Sequence, residues 1–138
     1  LLGPTYKFSK KIQTITNSNK NIKIISNSKD TSTLFRKFDL VLATPGITIY
    51  ELACLGIPTI LISINEIQHT VAKYFHKMKI GINYGFWKED MLKLEKMIES
   101  LEEEEIRNNM KKTSQKIIDG KGIFRVSNTI DDFLKKLI

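Results

Sequence analysis

DLVLATPGITIYELACLGIPTILISINEIQ, residues 39–68, sets out strand, tight turn, helix, corner, strand, polar loop and helix in one unbroken run. Leu40-Val41-Leu42-Ala43 is continuously apolar, as suits a parallel strand covered on both faces. Thr44-Pro45-Gly46 turns the chain, and Thr48-x-x-Glu51 has the spacing of a capping box at a helix start. Gly56 ends that helix and Pro58 keeps it from resuming. Helix amides that project from the C-terminal edge of a parallel strand are suited to hold a phosphate or diphosphate.

Outward from this stretch the same alternation continues. Leu1-Leu2-Gly3-Pro4 reads as the end of a strand entering a turn, so the chain is expected to be a piece of a longer protein whose N-terminal half, with this domain's first strand, is absent. Residues 5–21 are polar, a weak helix or a loop. Asn21 to Ser26 (NIKIIS) reads as a strand and Asp30 to Lys37 as a short helix. Further strands are predicted at about 39–43 and 58–63, with helices at about 48–55 and 66–77 and a weaker strand over Lys79 to Tyr84. Strands alternating with helices at this interval imply right-handed crossovers in a parallel sheet. Met91, Leu94, Ile98 and Leu101 form an apolar stripe that should face the sheet. Glu102 to Glu105 suits a helix start, where the macrodipole favours carboxylates. Asp119-Gly120-Lys121-Gly122 turns into a closing amphipathic helix carrying Val126, Ile130, Phe133 and Leu137. The expectation is one three-layer α/β domain over residues 1–138, Rossmann-like, with a parallel sheet of about four strands.

Composition narrows the function classes. At 138 residues, 41% hydrophobic and 27% charged, the chain has room for a real core and is not disordered. No apolar run approaches the ~20 residues of a membrane span, and no signal peptide is visible. A single cysteine, Cys54, flanked by Leu52, Ala53 and Leu55, excludes an internal disulfide and reads as a buried helical thiol. A reducing, cytoplasmic setting is expected. The net charge of +7 sits in the first half: residues 1–79 hold 11 Lys/Arg against 4 Asp/Glu, and residues 80–138 hold 11 of each. That imbalance favours an anionic ligand or reflects only a Lys-, Asn- and Ile-rich composition. Without a dense basic block or interleaved aromatics, nucleic acid is not the expected partner.

Each candidate residue carries two readings. Gly46 lets a ligand approach the backbone, with the amides of Gly46, Ile47 and Thr48 aimed at phosphate oxygens, or it merely shapes a turn. There is no GxxxxGK[ST] and no GxGxxG. Glu51 accepts the hydroxyls of a ribose, or it closes the capping box with Thr48. Asn65 and Gln68 cap the next helix reciprocally, or Gln68 points into the crevice toward a sugar or phosphate. His69 and His76 lack partners at metal-ligand spacing, so no metal and no cofactor is expected. No nucleophile turn and no Cys-x-x-Cys occurs, and no catalytic residue is assigned.

Taken in order, Leu2-Gly3-Pro4-x-Tyr6, Asp39-Leu-Val, Pro45-Gly46-x-Thr48-x-x-Glu51, Leu55-Gly56-x-Pro58, Asn65-x-x-Gln68 and Asp119-Gly120-x-Gly122-x-x-Arg125 resemble the C-terminal half of GT-B-fold nucleotide-sugar enzymes. The nearest branch is similar to the UDP-sugar hydrolase of pseudaminic acid biosynthesis and the spore-coat polysaccharide biosynthesis proteins, with MurG-type glycosyltransferases more distant. The resemblance implies that Gly46, Ile47 and Thr48 bind the nucleotide diphosphate and that Glu51 holds the ribose. It further implies that Asn65 and Gln68 reach the distal phosphate or sugar, and that the loop at Ile25 and Ser26 meets the base. Where the family usually has Gly-Gly this chain has Pro45-Gly46, which removes one backbone donor. The catalytic base is expected in the N-terminal half, so this piece alone should bind a UDP- or other NDP-sugar without turning it over. The Asp119–Arg125 segment reads as a structural corner that sends the last helix toward that half. The alternative is a noncatalytic docking or assembly module fused to a sugar-activating nucleotidyltransferase. An exposed sheet edge leaves self-association open.

Overall fold

The computed structural model describes residues 1, 10–26, 28 and 30–137, which divide into two compact units, Leu1–Leu34 and Phe35–Ile138. The strand end expected at Leu2-Gly3-Pro4, and Tyr6, lie outside the described residues. In the first unit, helix α1 (Lys10–Ser18) turns its Thr14 and Thr16 hydroxyls back onto the carbonyls of Lys10 and Ile12. The expected strand Asn21–Ser26 is not formed as such: only Ser26 makes an isolated bridge, and Ile22 is 43% exposed. Alternating isoleucines provide strand propensity, but a strand persists only with a partner along its length. Helix α2 (Thr31–Phe35) is capped by Asp30, whose Oδ1 accepts from Thr33 N and Ser32 Oγ, each at 2.9 Å.

The second unit contains β1 (Val41–Ala43), α3 (Thr48–Leu55), β2 (Thr59–Ser63), α4 (Glu66–Lys77) and β3 (Ile82–Phe86). Helices α5 (Met91–Ser100), α6 (Glu104–Ile117) and α7 (Gly122–Lys135) follow. The strands lie in the order β1-β2-β3 and both pairings are parallel, with Val41 beside Thr59 and Ile60 beside Ile82. This is the Rossmann-like α/β layering that the strand–helix alternation predicts. Among the described residues it has three strands, not about four, because NIKIIS adds no ladder.

Central β2 sorts its side chains to two faces. Leu61 joins Ile49 and Ala53 of α3 and Ala72 and Phe75 of α4 in one core. Ile60 points the other way, toward Tyr84, Leu94, Leu101 and Met110, with Ile98 packed alongside. Met91, expected in that stripe, is instead 63% exposed, standing at the first position of α5. A third core joins Phe35, Leu52 and Ile57. The Cys54 thiol is half-buried and unpaired by any disulfide.

Two helices end in the same way. After α3, Gly56 takes φ +73°, its amide bonds Ala53 O, and Ile57 N reaches Leu52 O at 2.9 Å. After α4, Lys79 takes φ +60° in the equivalent place, with Ile80 N on Phe75 O at 3.0 Å. Both are Schellman closures, and the second uses a residue other than glycine. It delays β3 to Ile82, three residues beyond the expected Lys79 start.

The C-terminal segment turns at Asp119. Its carboxylate takes a two-pronged bond from Arg125, Nη1 to Oδ2 at 2.7 Å and Nη2 to Oδ1 at 3.0 Å, plus Lys121 N at 3.0 Å. Helix α7 then buries none of its residues: Ile123, Val126, Ile130 and Phe133 are all more than half exposed. No helix among the described residues is long and apolar enough to cross a membrane.

Two outcomes follow from these closures. Gly56→Ala places a Cβ on left-handed backbone and against the Lys111 stem, so denaturant unfolding should lose about 1–2 kcal/mol of stability; unchanged stability would refute the role given to Gly56. The Arg125 guanidinium, with the Lys121 amide, lowers the Asp119 pKa from 3.8 to about 2. A lowered carboxyl pKa stabilises the folded corner above 3.8 and loses that contribution as pH falls toward about 2. Carboxyl-carbon NMR should therefore find Asp119 titrating near 2, and returning to the ordinary aspartate range in Arg125→Gln.

Candidate functional site

Because both pairings are parallel, the chain leaves β1, β2 and β3 at one edge of the sheet. That edge is formed by residues 44–47, residues 64–65 and the turn after Phe86. Open parallel sheets bind ligands at this edge.

At the first of these exits Gly46 N bonds back to Thr44 O at 2.8 Å, closing a tight turn over Pro45. The expectation that the Gly46 amide faces a phosphate is thereby corrected: its hydrogen is committed to the turn. Ile47 already has helical backbone, φ −62° and ψ −37°, and no side chain caps α3. Ile49 N and Tyr50 N bond to Gly46 O and Ile47 O in a short-pitched first turn. The amides of Ile47 and Thr48 donate to nothing among the described residues.

The Thr48–Glu51 capping box is also absent. An N-cap residue needs extended backbone to swing its oxygen over the first amides. Here helical geometry begins one residue earlier, so Thr48 lies inside the helix and cannot serve as the cap. Neither the Thr48 hydroxyl nor the Glu51 carboxylate makes a hydrogen bond or ion pair among the described residues, and both side chains are exposed. Gly46 has ordinary negative φ, and a Cβ built on it meets only Thr44 O, 4.0 Å away. Nothing in the fold itself requires a glycine there.

The second exit is arranged in the opposite way. Asn65 is extended, φ −150° and ψ 169°, and its Oδ1 accepts from Gln68 N at 3.0 Å. Gln68 Oε1 in turn accepts from Ile64 N at 3.1 Å. Reciprocal capping is therefore what these two side chains do, leaving the Gln68 amide nitrogen as the uncommitted group.

At the third exit a register shift between Leu61 and Ile62 accompanies Gly85 at φ +108°. Asn83 Oδ1 accepts from Gly85 N at 3.0 Å, and the Glu89 carboxylate fills the space a Cβ on Gly85 would need. The shift pairs Phe86 with Ser63, on the α4 face of the sheet. There Phe86 stacks on His69, ring centroids 4.6 Å apart. The Ser63 hydroxyl and His69 Nδ1 are buried without hydrogen-bond partners among the described residues. Ser63 and Phe86 were not singled out from sequence, since a bulge has no signature beyond Gly85 itself. Glu89 ion-pairs with Lys93, which, with the Phe86 amide, lowers its pKa.

Gly46, Ile47, Thr48, Glu51, Asn65 and Gln68 all lie in the second unit, at the first two exits from this edge. Ile25 and Ser26 belong to the first unit, Ile25 half-buried and Ser26 exposed. Among the described residues no group of three or more His, Cys, Asp or Glu could hold a metal ion.

Comparison with known proteins gives a consistent family. The family described as "Glycosyltransferase family 28 C-terminal domain" matches residues 1–124. The chain is similar to the spore coat polysaccharide biosynthesis protein SpsG of Bacillus subtilis (strain 168), 27% identical over 118 residues, covering 84% of this chain and 35% of that protein. It is also similar to the uncharacterized protein MJ1062 of Methanocaldococcus jannaschii, 30% identical over 71 residues, 49% of this chain and 15% of that protein. The chain thus spans about a third or less of these relatives' lengths. No solved structure matches.

The reciprocal cap can be tested without a ligand. Asn65→Ala removes the acceptor for Gln68 N and should cost about 1 kcal/mol in chemical unfolding, whereas Thr48→Ala, which removes no cap, should leave stability within about 0.5 kcal/mol. Equal losses in the two variants would contradict the contrast between the helix starts.

Proposed function

The chain belongs to the glycosyltransferase family 28 C-terminal domain family, and on that premise we propose that it is the nucleotide-binding half of an enzyme acting at the anomeric carbon of a UDP- or other NDP-sugar. The observation that supports this most is the start of α3. Two amides, one hydroxyl and one carboxylate sit within a single helical turn at the C-terminal sheet edge, and none has a partner among the described residues. Amides at a helix start favour anionic oxygens. In this reading Ile47 N and Thr48 N, with the Thr48 hydroxyl, take the diphosphate, and Gly46 leaves its approach open. Glu51, one turn on, accepts from the ribose hydroxyls. The Gln68 amide nitrogen donates to the distal phosphate or the sugar, with Asn65 holding that loop, and the backbone at Ile25 and Ser26 meets the base.

The contribution to the reaction is electrostatic. As the bond from the anomeric carbon to the diphosphate oxygen breaks, negative charge grows on the departing oxygen, and fixed amide dipoles stabilise it. Water attacks the carbon in a hydrolase and an acceptor hydroxyl in a glycosyltransferase; in either case the group that removes the proton belongs to the other half of the enzyme. The pathway we assign is surface-polysaccharide or nonulosonic-acid synthesis, including pseudaminic acid, in the cytoplasm. The exposed stripe of α7 fits a helix that crosses to that other half, and any pairing with a second chain is assigned to the β1 edge. A docking module fused to a sugar-activating enzyme is the competing reading. It is favoured by the same bare helix and by a match that covers 15% of a longer archaeal protein.

An amide NMR titration of the full chain with UDP, CMP and inorganic pyrophosphate separates the two. Saturable shifts at Ile47, Thr48 and Glu51, larger for UDP than CMP, are expected. Glu51→Ala should weaken UDP binding by about tenfold or more, the loss of a charged hydrogen-bond acceptor. Gly46→Ala should weaken it too while leaving thermal stability unchanged or slightly raised. Absent or scattered shifts would remove the nucleotide reading and leave the docking module.

A further inference from the structure

The opposite edge of the sheet holds a cavity of about 340 Å³. It lies where β1 and β2 begin and α3 ends, bounded by Arg36, Phe38, Asp39, Arg107, Asn108 and Lys111, with Pro58 and the Gly56 corner as its floor. Three cationic side chains face one carboxylate. We propose that this cavity is a binding site for a phosphate group, carried on a sugar-sized monoester or as free phosphate.

Helix α3 ends here with its carbonyls outward, a partial negative charge that by itself repels anions. That charge is already answered: Gln115 Nε2 bonds Leu55 O at 3.3 Å. Arg107 Nη1 does the same for the end of α5, donating to Leu101 O at 2.5 Å and Glu102 O at 2.7 Å. Arg36 and Lys111 are therefore surplus to what the helix ends need. Neither makes a hydrogen bond or ion pair among the described residues, and neither pairs with Asp39 although all three line the same cavity. The Lys111 stem is held in place by packing over Gly56.

A planar guanidinium and an ammonium at one cavity suit the several oxygens of a phosphate. Asp39 and Asn108 offer acceptors and donors for hydroxyl groups, and the 42%-exposed Phe38 ring offers an apolar wall for a carbon skeleton. The division of the lining into cations, hydroxyl-binding groups and one aromatic matches a phosphorylated polyol better than a bare anion. This site shares no residue with the α3 start, so it stands or falls independently of the nucleotide.

The test is an amide NMR titration of the full chain with inorganic phosphate, glucose 1-phosphate and glucose, at constant ionic strength. Saturable shifts at Phe38, Gly56 and Lys111 are expected with glucose 1-phosphate and not with glucose, leaving Ile47–Glu51 unmoved. The double variant Arg36→Gln/Lys111→Met keeps the packed stem and removes both surplus charges; it should weaken binding about tenfold or more. If that variant does not fold, Arg36→Gln alone, at a side chain that makes no hydrogen bond or ion pair among the described residues, should show several-fold weakening. Tighter binding of glucose 1-phosphate than of phosphate assigns the monoester, and equal binding assigns free phosphate. No saturable shift in this cavity by ~10 mM, or shifts unchanged in the variants, overturns the proposal.

Discussion

Burial of β2 on both faces is the constraint from which the rest of the second unit follows. Ile60 and Leu61 are fully buried on opposite sides of the same strand, so neither face is left to water and helices must cover both. Parallel pairing with β1 and β3 lays the crossover helices α3 and α4 over the Leu61 face, and α5 and α6, which follow β3, cover the Ile60 face. The geometry that buries the strand also decides where chemistry can occur. Helices α3 and α4 must begin beside the strand ends they follow, and their amide-rich starts gather at one edge while their carbonyl ends gather at the other.

The two edges therefore differ in electrostatic character before any side chain is considered. At the carbonyl edge the protein supplies donors, and Gln115 and Arg107 are spent on helix ends. At the amide edge it supplies an acceptor pair at α4 and none at α3. Sheet twist and strand register then tune the detail. The shift near Gly85 turns Phe86 to the α4 face, where regular alternation from Tyr84 would have sent it to the α5 face, and so builds the stack with His69.

Much of this was legible in residues 39–68. Helices at 48–55 and 66–77 stand at the predicted bounds, because Gly56, Pro58 and Asn65 punctuate them with unambiguous turn chemistry. Of the Asn65–Gln68 options, the Asn65 cap on Gln68 N is formed, while the Gln68 side chain takes the amide of Ile64, one residue before the cap. Legibility failed where local signals depend on partners or on a single dihedral. NIKIIS has the alternation of a strand but no ladder among the described residues, and Lys79 occupies a left-handed closure that turn chemistry assigns to glycine. Thr48-x-x-Glu51 has capping-box spacing, but after the Pro45-Gly46 turn Ile47 is already in helical geometry, so the helix begins one residue too early for Thr48 to cap it.

That last difference bears on function more than the agreements do. Two helices leave the same edge of the same sheet, separated by one strand. One is closed by its own side chains, with Asn65 and Gln68 each satisfying a backbone donor. The other has a hydroxyl and a carboxylate at suitable spacing and uses neither for the backbone. Unsatisfied helix-start amides are tolerated in water, so α3 is not strained; it retains binding capacity that α4 has used up. Glycine at 46, with neither a positive φ nor a close neighbour to explain it, adds clearance at the same point. Capping α4 and leaving α3 open concentrates the edge's unsatisfied backbone donors at a single turn of helix, the asymmetry on which the proposed diphosphate site rests.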